Sequence, residues 1–255
     1  MENSETGRKR RIMLTVAYDG TNYHGWQIQP ESITIEKVLN ECLSSFLHEE
    51  ISVIGASRTD AGVHAFGNLC VFDTDCTIPA ERFPNAINAL LPDDIKIQKG
   101  QEVELDFHPR KCDTRKTYEY HILNTDFDNP VYNRYSTHVY GYMDIDKMNE
   151  AGHYLVGEHD FTSFCSINAQ ALTRVRTLYD INVQRRNDEI VISVTGNGFL
   201  YNMVRIIAGT LIDVGRGHTE PEKILSILNA KDRALAGPTA PAKGLILKGY
   251  AFEKR

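Results

Sequence analysis

Residues 51–74 read ISVIGASRTDAGVHAFGNLCVFDT, in which two apolar segments flank a short polar loop. Residues 51–57 contain β-branched residues and residues 66–74 contain β-branched and aromatic ones, the kinds that favour strands. Between them, Ala61 and Gly62 permit a sharp turn. The stretch therefore predicts two strands joined by a loop, and such loops often present functional side chains on a rigid scaffold.

The loop carries Asp60 two residues after Arg58, and the residues alone allow two interpretations of this pair. In the first, Asp60 makes an Asx-turn and Arg58 pairs with an unrelated surface acid. In the second, Asp60 is a functional carboxylate that an arginine keeps ionised. The loop by itself does not decide between them.

The sequence on either side of the loop predicts an α+β protein. In the first half, residues 11–18 alternate with period two as a strand, and an apolar stripe over residues 35–47 predicts a helix capped by Thr34. Further strands are predicted at 94–100, 116–123, 175–184, 189–196 and 244–253. The further predicted helices are a short one with Pro84 in its first turn, one capped by Asp144, one over 200–214 with Gly215 as its C′ residue, and one over 223–230 that follows a capping box of Thr219 and Glu222.

These elements predict two similar lobes, each an antiparallel or mixed sheet with helices on one face, whose sheets join around a central basic cleft. The expected boundaries are a disordered polar arm at 1–10, an N-terminal lobe at 11–106, a basic connection at 107–116 and a C-terminal lobe at 117–255. Within the connection, HPRKCDTRK at 108–116 carries four Lys or Arg side chains against one acid. Solvated strand ends and an anion-binding surface are both compatible with this charge.

Composition excludes several classes of protein. A net charge of −6 argues against indiscriminate coating of nucleic acid, but not against a binder with its positive charge on one face. The five cysteines form no CxxC pair and the nine histidines no HExxH motif, so we predict neither a metal site nor a disulfide framework. A polar N-terminus and the lack of any apolar run of roughly 20 residues predict a cytoplasmic protein with no membrane association.

Three further motifs each allow a structural and a functional interpretation. The segment GNGFLYNMVR at 196–205 opens a helix but matches neither GxGxxG nor a P-loop, which disfavours a nucleotide cofactor. Its Arg205 either extends its charged end to solvent at the rim of the helix or is buried and needs an acidic partner. Tyr118 and Tyr120 share one face of a strand, where core packing is the simplest role. His159 and Asp160 suggest a hydrolase, but no nucleophile elbow accompanies them, and we interpret them as structural.

Besides GASRTDAGVHA at 55–65, six segments follow in a defined order. They are YDGTNYHGWQIQ at 18–29, NALLPDDI at 88–95, FHPRKCDTRKTYEYHI at 107–122, GEHDFTSF at 157–164, GNGFLYNMVRIIAGTL at 196–211 and APAKGLIL at 240–247. Together they resemble the TruA family of tRNA pseudouridine synthases over nearly the whole chain. Several such segments in the right order are far more specific than any one alone.

The resemblance implies an isomerase that needs no cofactor and that turns uridine into pseudouridine. By resemblance Asp60 is the catalytic carboxylate and Arg205 is its charged partner. Tyr118 matches the tyrosine that stacks on the target base, Leu245 matches an apolar residue of the base pocket, and Arg58 matches the arginine that fills the space left by the displaced base.

The resemblance also implies a homodimer that binds tRNA and modifies positions 38, 39 and 40 of the anticodon stem-loop, with base flipping. From the charge pattern we assign RNA-phosphate contacts to His108, Arg110, Lys111, Arg115 and Lys116. Ser57 stands where the family usually has glycine, which leaves open a paralogue with other target positions. The competing hypotheses are a non-catalytic RNA-binding protein on the same scaffold and a small-molecule hydrolase using His159 and Asp160.

Overall fold

The computed structural model describes residues 9–167 and 172–252. The chain divides into two compact units, Met1–Cys112 and Asp113–Arg255. Most of the predicted N-terminal arm lies outside the described residues, and the first strand already begins at Arg10. Within the described ranges, no helix combines the length and the apolar character that crossing a membrane requires.

The first unit is an antiparallel sheet with two helices. Its elements are β1 (Arg10–Tyr18), α1 (Ile35–Leu47), β2 (Ile54–Gly55), β3 (His64–Thr74), α2 (Phe83–Ile87) and β4 (Ile95–Val103). Strand β1 lies between β4 and β3 and is antiparallel to both, and β2 pairs with the far side of β3. The two strands predicted around the opening loop are therefore neighbours, although β2 is shorter than residues 51–57.

Helix α1 forms where the apolar stripe predicts it. Thr34 accepts a hydrogen bond from the backbone N–H of Lys37, which satisfies one of the unpaired donors of the first turn and confirms the predicted cap. Ile35, Leu39 and Leu43 are fully buried on one face. Each side chain of this size contributes about 1.5–3 kcal/mol when it leaves water, so the stripe fixes which face of the helix is buried.

The second unit is built on a mixed sheet with three helices in its described part. Its elements are β5 (Thr114–Leu123), β6 (Thr137–His138), α3 (Ile145–His153), β7 (Gly157–Asp160), β8 (Val175–Arg186), β9 (Glu189–Gly196), α4 (Met203–Gly215), α5 (Lys223–Ala230) and β10 (Leu245–Phe252). The strands run β10–β5–β9–β8–β7 with antiparallel neighbours, while β6 pairs in parallel with β5. The predicted α+β class is confirmed.

Two predicted helix ends are wrong. Gly215 is the last residue of α4 rather than a C′ residue, because the left-handed glycine that ends the helix is Gly217, which has a φ of 75° and donates its N–H to the carbonyl of Val214 at 2.9 Å. The capping box before α5 does not form either, since Glu222 makes no side-chain cap and Lys223 donates instead to the backbone carbonyl of Glu220. The cap at Asp144 is confirmed, for its carboxylate accepts from the N–H of Lys147 at 3.0 Å.

Candidate active site

The loop that carries Asp60 leaves the sheet in an unusual way. After β2 ends at Gly55, Ala56 still donates to the backbone carbonyl of Leu69 on β3 at 2.7 Å. At the next residue the partner is a side chain, because the amide of Asn68 accepts from the N–H of Ser57 at 3.3 Å and donates to its carbonyl at 3.0 Å. The backbone of Ser57 therefore keeps both its hydrogen bonds while the chain departs from β3.

Thr59 is held from two further directions. Its hydroxyl shares a 2.8 Å hydrogen bond with the Tyr18 hydroxyl at the end of β1, and its carbonyl accepts from the N–H of Trp26 at 3.0 Å. Ser57 and Thr59 are both buried, whereas Arg58 between them is exposed and Asp60 after them is partly buried. The bonds to the two buried residues thus present Arg58 and Asp60 away from the core of the unit.

A tight turn follows Asp60 directly. Its carbonyl accepts from the N–H of Val63 at 3.2 Å, and Gly62, third in the turn, has a φ of 76° that favours glycine. Gly62 also donates to the carbonyl of Tyr23 at 3.3 Å. The chain therefore makes the turn that Ala61 and Gly62 predict, through the backbone carbonyl of Asp60, and a turn of this kind does not use the carboxylate.

The irregular segment after β1 covers the outside of the loop. Gly25 lies so close that a Cβ there would be 2.5 Å from the carbonyl oxygen of Thr59. Two residues later, the amide oxygen of Gln27 accepts from the guanidinium of Arg58 at 3.4 Å. Arg58 is thus held on the solvent side by this segment.

In the second unit, Tyr118 and Leu245 lie on adjacent strands. Tyr118 on β5 faces Leu247 on β10, and Leu245 faces Tyr120, so all four share the pairing of these two strands. Tyr118 is 7% exposed and its ring meets Phe199 edge to face, with centroids 5.1 Å apart. Leu245 is 5% exposed. An aromatic ring and an aliphatic side chain are thus set beside each other in the sheet, as a flat apolar ligand requires.

Arg205 lies in the first turn of α4 and is only partly buried. Its guanidinium donates to the carbonyl of Ala240 at 2.7 Å and to the amide oxygen of Asn202 at 2.8 Å. Asn202 is itself fixed, because its amide nitrogen donates to the hydroxyl of Ser166 at 2.8 Å. These neutral acceptors set the direction of the guanidinium without cancelling its charge.

The charge of Arg205 acts on a neighbouring tyrosine. Burial raises the pKa of Tyr120 to about 12, while its hydrogen bond to Thr137 and the positive charge of Arg205 oppose the rise. The hydroxyl of Tyr120 donates to the carbonyl of Pro241 at 2.9 Å, next to the Ala240 carbonyl that binds Arg205. Tyr120 is thus a neutral structural group at any ordinary pH, and it supports the segment that holds Arg205.

The five basic residues predicted to contact phosphate fall in both units. In the first, Arg110 donates to the carbonyl of Gly55 at 2.7 Å, its own N–H donates to the ring of His108 at 3.2 Å, and Lys111 is exposed. In the second, the guanidinium of Arg115 lies 4.3 Å from the ring centre of Tyr179, and the ammonium of Lys116 lies 5.8 Å from that of Tyr250. Arg110 therefore also anchors the end of β2, a role that the charge pattern did not indicate.

His159 and Asp160 are engaged in local structure. The ring of His159 meets the carbonyl of Val156 at 3.0 Å. Asp160 accepts from the N–H and the hydroxyl of Thr162 and pairs with Lys231 at 2.9 Å, and these bonds lower the pKa of its carboxyl. The two side chains hold a turn and a helix end, as the structural interpretation expects.

The chain is similar to known proteins over most of its length. Residues 14–110 and 151–253 match a family model described as tRNA pseudouridine synthase. The chain is 45% identical to the tRNA pseudouridine synthase A of Thermoanaerobacter sp. (strain X514), over 93% of this chain and 98% of the relative. It is 47% identical to the protein of that name from Ruminiclostridium cellulolyticum, with the same coverage, and 47% identical to tRNA pseudouridine synthase A 2 of Clostridium tetani, over 94% of this chain and 97% of the relative.

Proposed function

Since the chain belongs to the tRNA pseudouridine synthase family, we propose that it is an isomerase that converts uridine to pseudouridine in tRNA. The observation that carries the proposal is the extent of the match, which takes in most of both units. The relatives named above are aligned over almost their whole length, so the similarity is not confined to one shared module.

The reaction is an internal rearrangement whose atoms balance without a co-reactant. The N1–C1′ bond of uridine breaks, the base turns, and a C5–C1′ bond forms. C5 then loses its proton and N1 gains one. No group or electron enters from outside, so we propose that the enzyme works without a cofactor.

We propose Asp60 as the catalytic carboxylate and Arg205 as its charged partner. Two features support this: Asp60 is presented by a braced loop, and Arg205 is a partly buried cation whose direction is fixed by neutral acceptors. A nearby guanidinium favours the ionised carboxylate, which the reaction needs as nucleophile or base. A partly buried arginine is also costly unless an anion accompanies it.

We propose that Tyr118 and Leu245 receive the flipped uracil and that Arg58 takes the space it leaves. The ring of Tyr118 beside an aliphatic neighbour suits a planar base, and the exposed guanidinium of Arg58 next to Asp60 suits an RNA stack. Extruding a base costs a few kcal/mol, which stacking and pocket contacts recover.

We further propose that the anticodon stem-loop is the target, at positions 38, 39 and 40, and that the enzyme is a cytoplasmic homodimer. The phosphate contacts are assigned to His108, Arg110, Lys111, Arg115 and Lys116. With an overall charge of −6, binding to RNA requires that positive charge be concentrated locally, as it is in the sequence around these residues.

Tritium release from tRNA transcripts labelled at C5 of uridine tests the function. We expect the wild-type protein to release tritium and Asp60→Ala to release none. Asp160→Asn is the control, because it also removes a carboxylate but one that is engaged in local structure, and it should retain the activity. Mapping of pseudouridine in the product then tests positions 38 to 40. Robust release by Asp60→Ala would refute the catalytic assignment, and tRNA binding with no release by the wild type would favour the non-catalytic hypothesis.

A further inference from the structure

A buried polar cluster lies directly behind the catalytic loop. Its members are Tyr18 from β1, Asn68 from β3, and Ser57 and Thr59 from the loop itself. Asn68 is 0% exposed on a strand whose other residues are mostly apolar. Burying a polar side chain is costly unless its hydrogen bonds are made, so such a cluster needs a physical reason.

The bonds of Asn68 account for its burial. The pairing of β2 with β3 joins Ile54 to Val71 and Gly55 to Cys70, so the same register sets Asn68 opposite Ser57. A carboxamide has one acceptor and two donors in a peptide-like arrangement, and here it bonds both backbone groups of Ser57 and the hydroxyl of Tyr18. The side chain therefore stands in for a strand partner at the point where the loop must leave the sheet.

The hydroxyl of Tyr18 links Asn68 to Thr59 by two hydrogen bonds. It accepts from the amide of Asn68 at 3.3 Å and bonds the Thr59 hydroxyl at 2.8 Å. Thr59 is the residue before Asp60, and on the other side the Asp60 carbonyl is fixed by the turn to Val63. The backbone of Asp60 is thus fixed on both sides by contacts that do not use its carboxylate.

We propose that Asn68, Tyr18 and Thr59 are positioning residues that hold Asp60 in its reactive orientation before tRNA binds. The inference rests on the proposed function. It predicts that loosening the cluster slows the chemical step and leaves tRNA affinity unchanged, because none of the three side chains is exposed to a ligand. A misplacement of about 1 Å in a reacting group can cost roughly 100-fold in rate.

Three near-isosteric variants test the cluster. Tyr18→Phe and Thr59→Val each remove the 2.8 Å hydrogen bond between the two hydroxyls, and Thr59→Ser retains it. Thr74→Val is the matched control: Thr74 is also a buried threonine, 2% exposed against 7% for Thr59, and its hydroxyl also makes a 2.8 Å hydrogen bond, to Glu49 at the far end of β3. Single-turnover tritium release at varied enzyme concentration gives the rate constant and the half-saturation for tRNA separately.

We expect Tyr18→Phe and Thr59→Val to lower the rate constant by about 10- to 100-fold with unchanged half-saturation. Thr59→Ser should restore most of the rate, and Thr74→Val should keep it. Tyr18→Phe also removes the acceptor of the 3.3 Å bond from Asn68, so the double variant should be little worse than Tyr18→Phe alone. Thermal melting of each variant checks folding, and if one of the pair does not fold, the other still measures the loss of the bond.

The proposed function and the positioning role can fail separately. If Asp60→Ala is as active as the wild type, the proposed function of Asp60 is lost. If Asp60 is essential but Tyr18→Phe and Thr59→Val react at the wild-type rate, or if the control Thr74→Val loses as much, the positioning role alone is overturned. A loss confined to tRNA half-saturation overturns it as well, since it would mean an effect on binding.

Discussion

Gly25→Ala is the sharpest perturbation of the candidate site that leaves every polar group in place. Gly25 has a φ of 85°, and an added Cβ would lie 2.5 Å from the carbonyl oxygen of Thr59, against an ordinary contact of at least 3.4 Å. A positive φ costs a residue with a side chain about 1–2 kcal/mol, and overpacking costs about 1–3 kcal/mol. The free energy of unfolding should therefore fall by about 2–5 kcal/mol.

The same substitution should also slow catalysis. To relieve the contact, the backbone of the Asp60 loop or of the covering segment has to move by almost 1 Å, which is enough to cost roughly 100-fold in rate. Urea unfolding followed by circular dichroism gives the stability. Fluorescence of Trp26, the single tryptophan and fully buried, reports on the first unit.

Gly217→Ala is the control for the backbone term. Gly217 has a φ of 75°, and nothing lies within 4 Å of an added Cβ. The substitution should therefore lower the free energy of unfolding only by the roughly 1–2 kcal/mol of the positive φ and leave the rate unchanged. If Gly25→Ala is no more costly than Gly217→Ala and is fully active, the close approach of the covering segment to Thr59 is refuted.

Three further perturbations test other parts of the structure. Arg11 lowers the pKa of Asp73 chiefly through a side-chain hydrogen bond, so the stability from this pair is present above the ordinary carboxyl pKa and is lost as the pH falls through the lowered pKa. Asp73→Asn should therefore remove part of the loss of stability that urea unfolding measures as the pH is lowered. An unchanged pH profile would contradict this role of the pair. Asn202→Gly removes the amide that orients Arg205, whereas Asn202→Asp keeps an acceptor at that position. We expect tritium release to fall more in Asn202→Gly than in Asn202→Asp, and equal rates in the two variants would exclude the orienting role. His159→Ala should lower stability but leave tritium release intact, because its ring bonds the carbonyl of Val156 and meets the ring of Phe161, which are both local contacts. Abolished release would reopen a chemical role.

Helices with a local apolar pattern could be predicted from the sequence, and so could two of their three predicted N-terminal caps. The Thr34 and Asp144 caps formed as expected because both depend on neighbours three residues away. Gly215 is not the C′ residue because the left-handed conformation falls on Gly217, and with two glycines so close together the local sequence does not show which one ends the helix. The two-residue strand β6 and four-residue strand β7 were missed since they are too short for a period-two pattern and form only by pairing with longer strands.

Candidate site residues divide along the same line. The residues alone left Asp60 evenly balanced between a turn and a catalytic group, and resemblance, not spacing, selected Asp60, Tyr118, Leu245 and Arg205. The supporting contacts were out of reach because they join distant positions: Asn68 is 11 residues from Ser57, and Tyr18 is 41 from Thr59. In the sequence Asn202 is only a polar residue near the start of the predicted helix over 200–214.

One sequence signal does point to the positioning cluster. Asn is a residue type that strands disfavour, yet Asn68 lies within the apolar run at 66–74. Either the strand is interrupted there or the buried amide makes specific hydrogen bonds. Strand β3 is continuous through Asn68, with Val16 of β1 as its backbone partner, which excludes an interruption. The amide must then satisfy something on its other side, and the nearest chain to leave the sheet is the loop that begins after Gly55. In this chain a polar residue inside a strand therefore marks the place where the sheet holds the loop that carries Asp60.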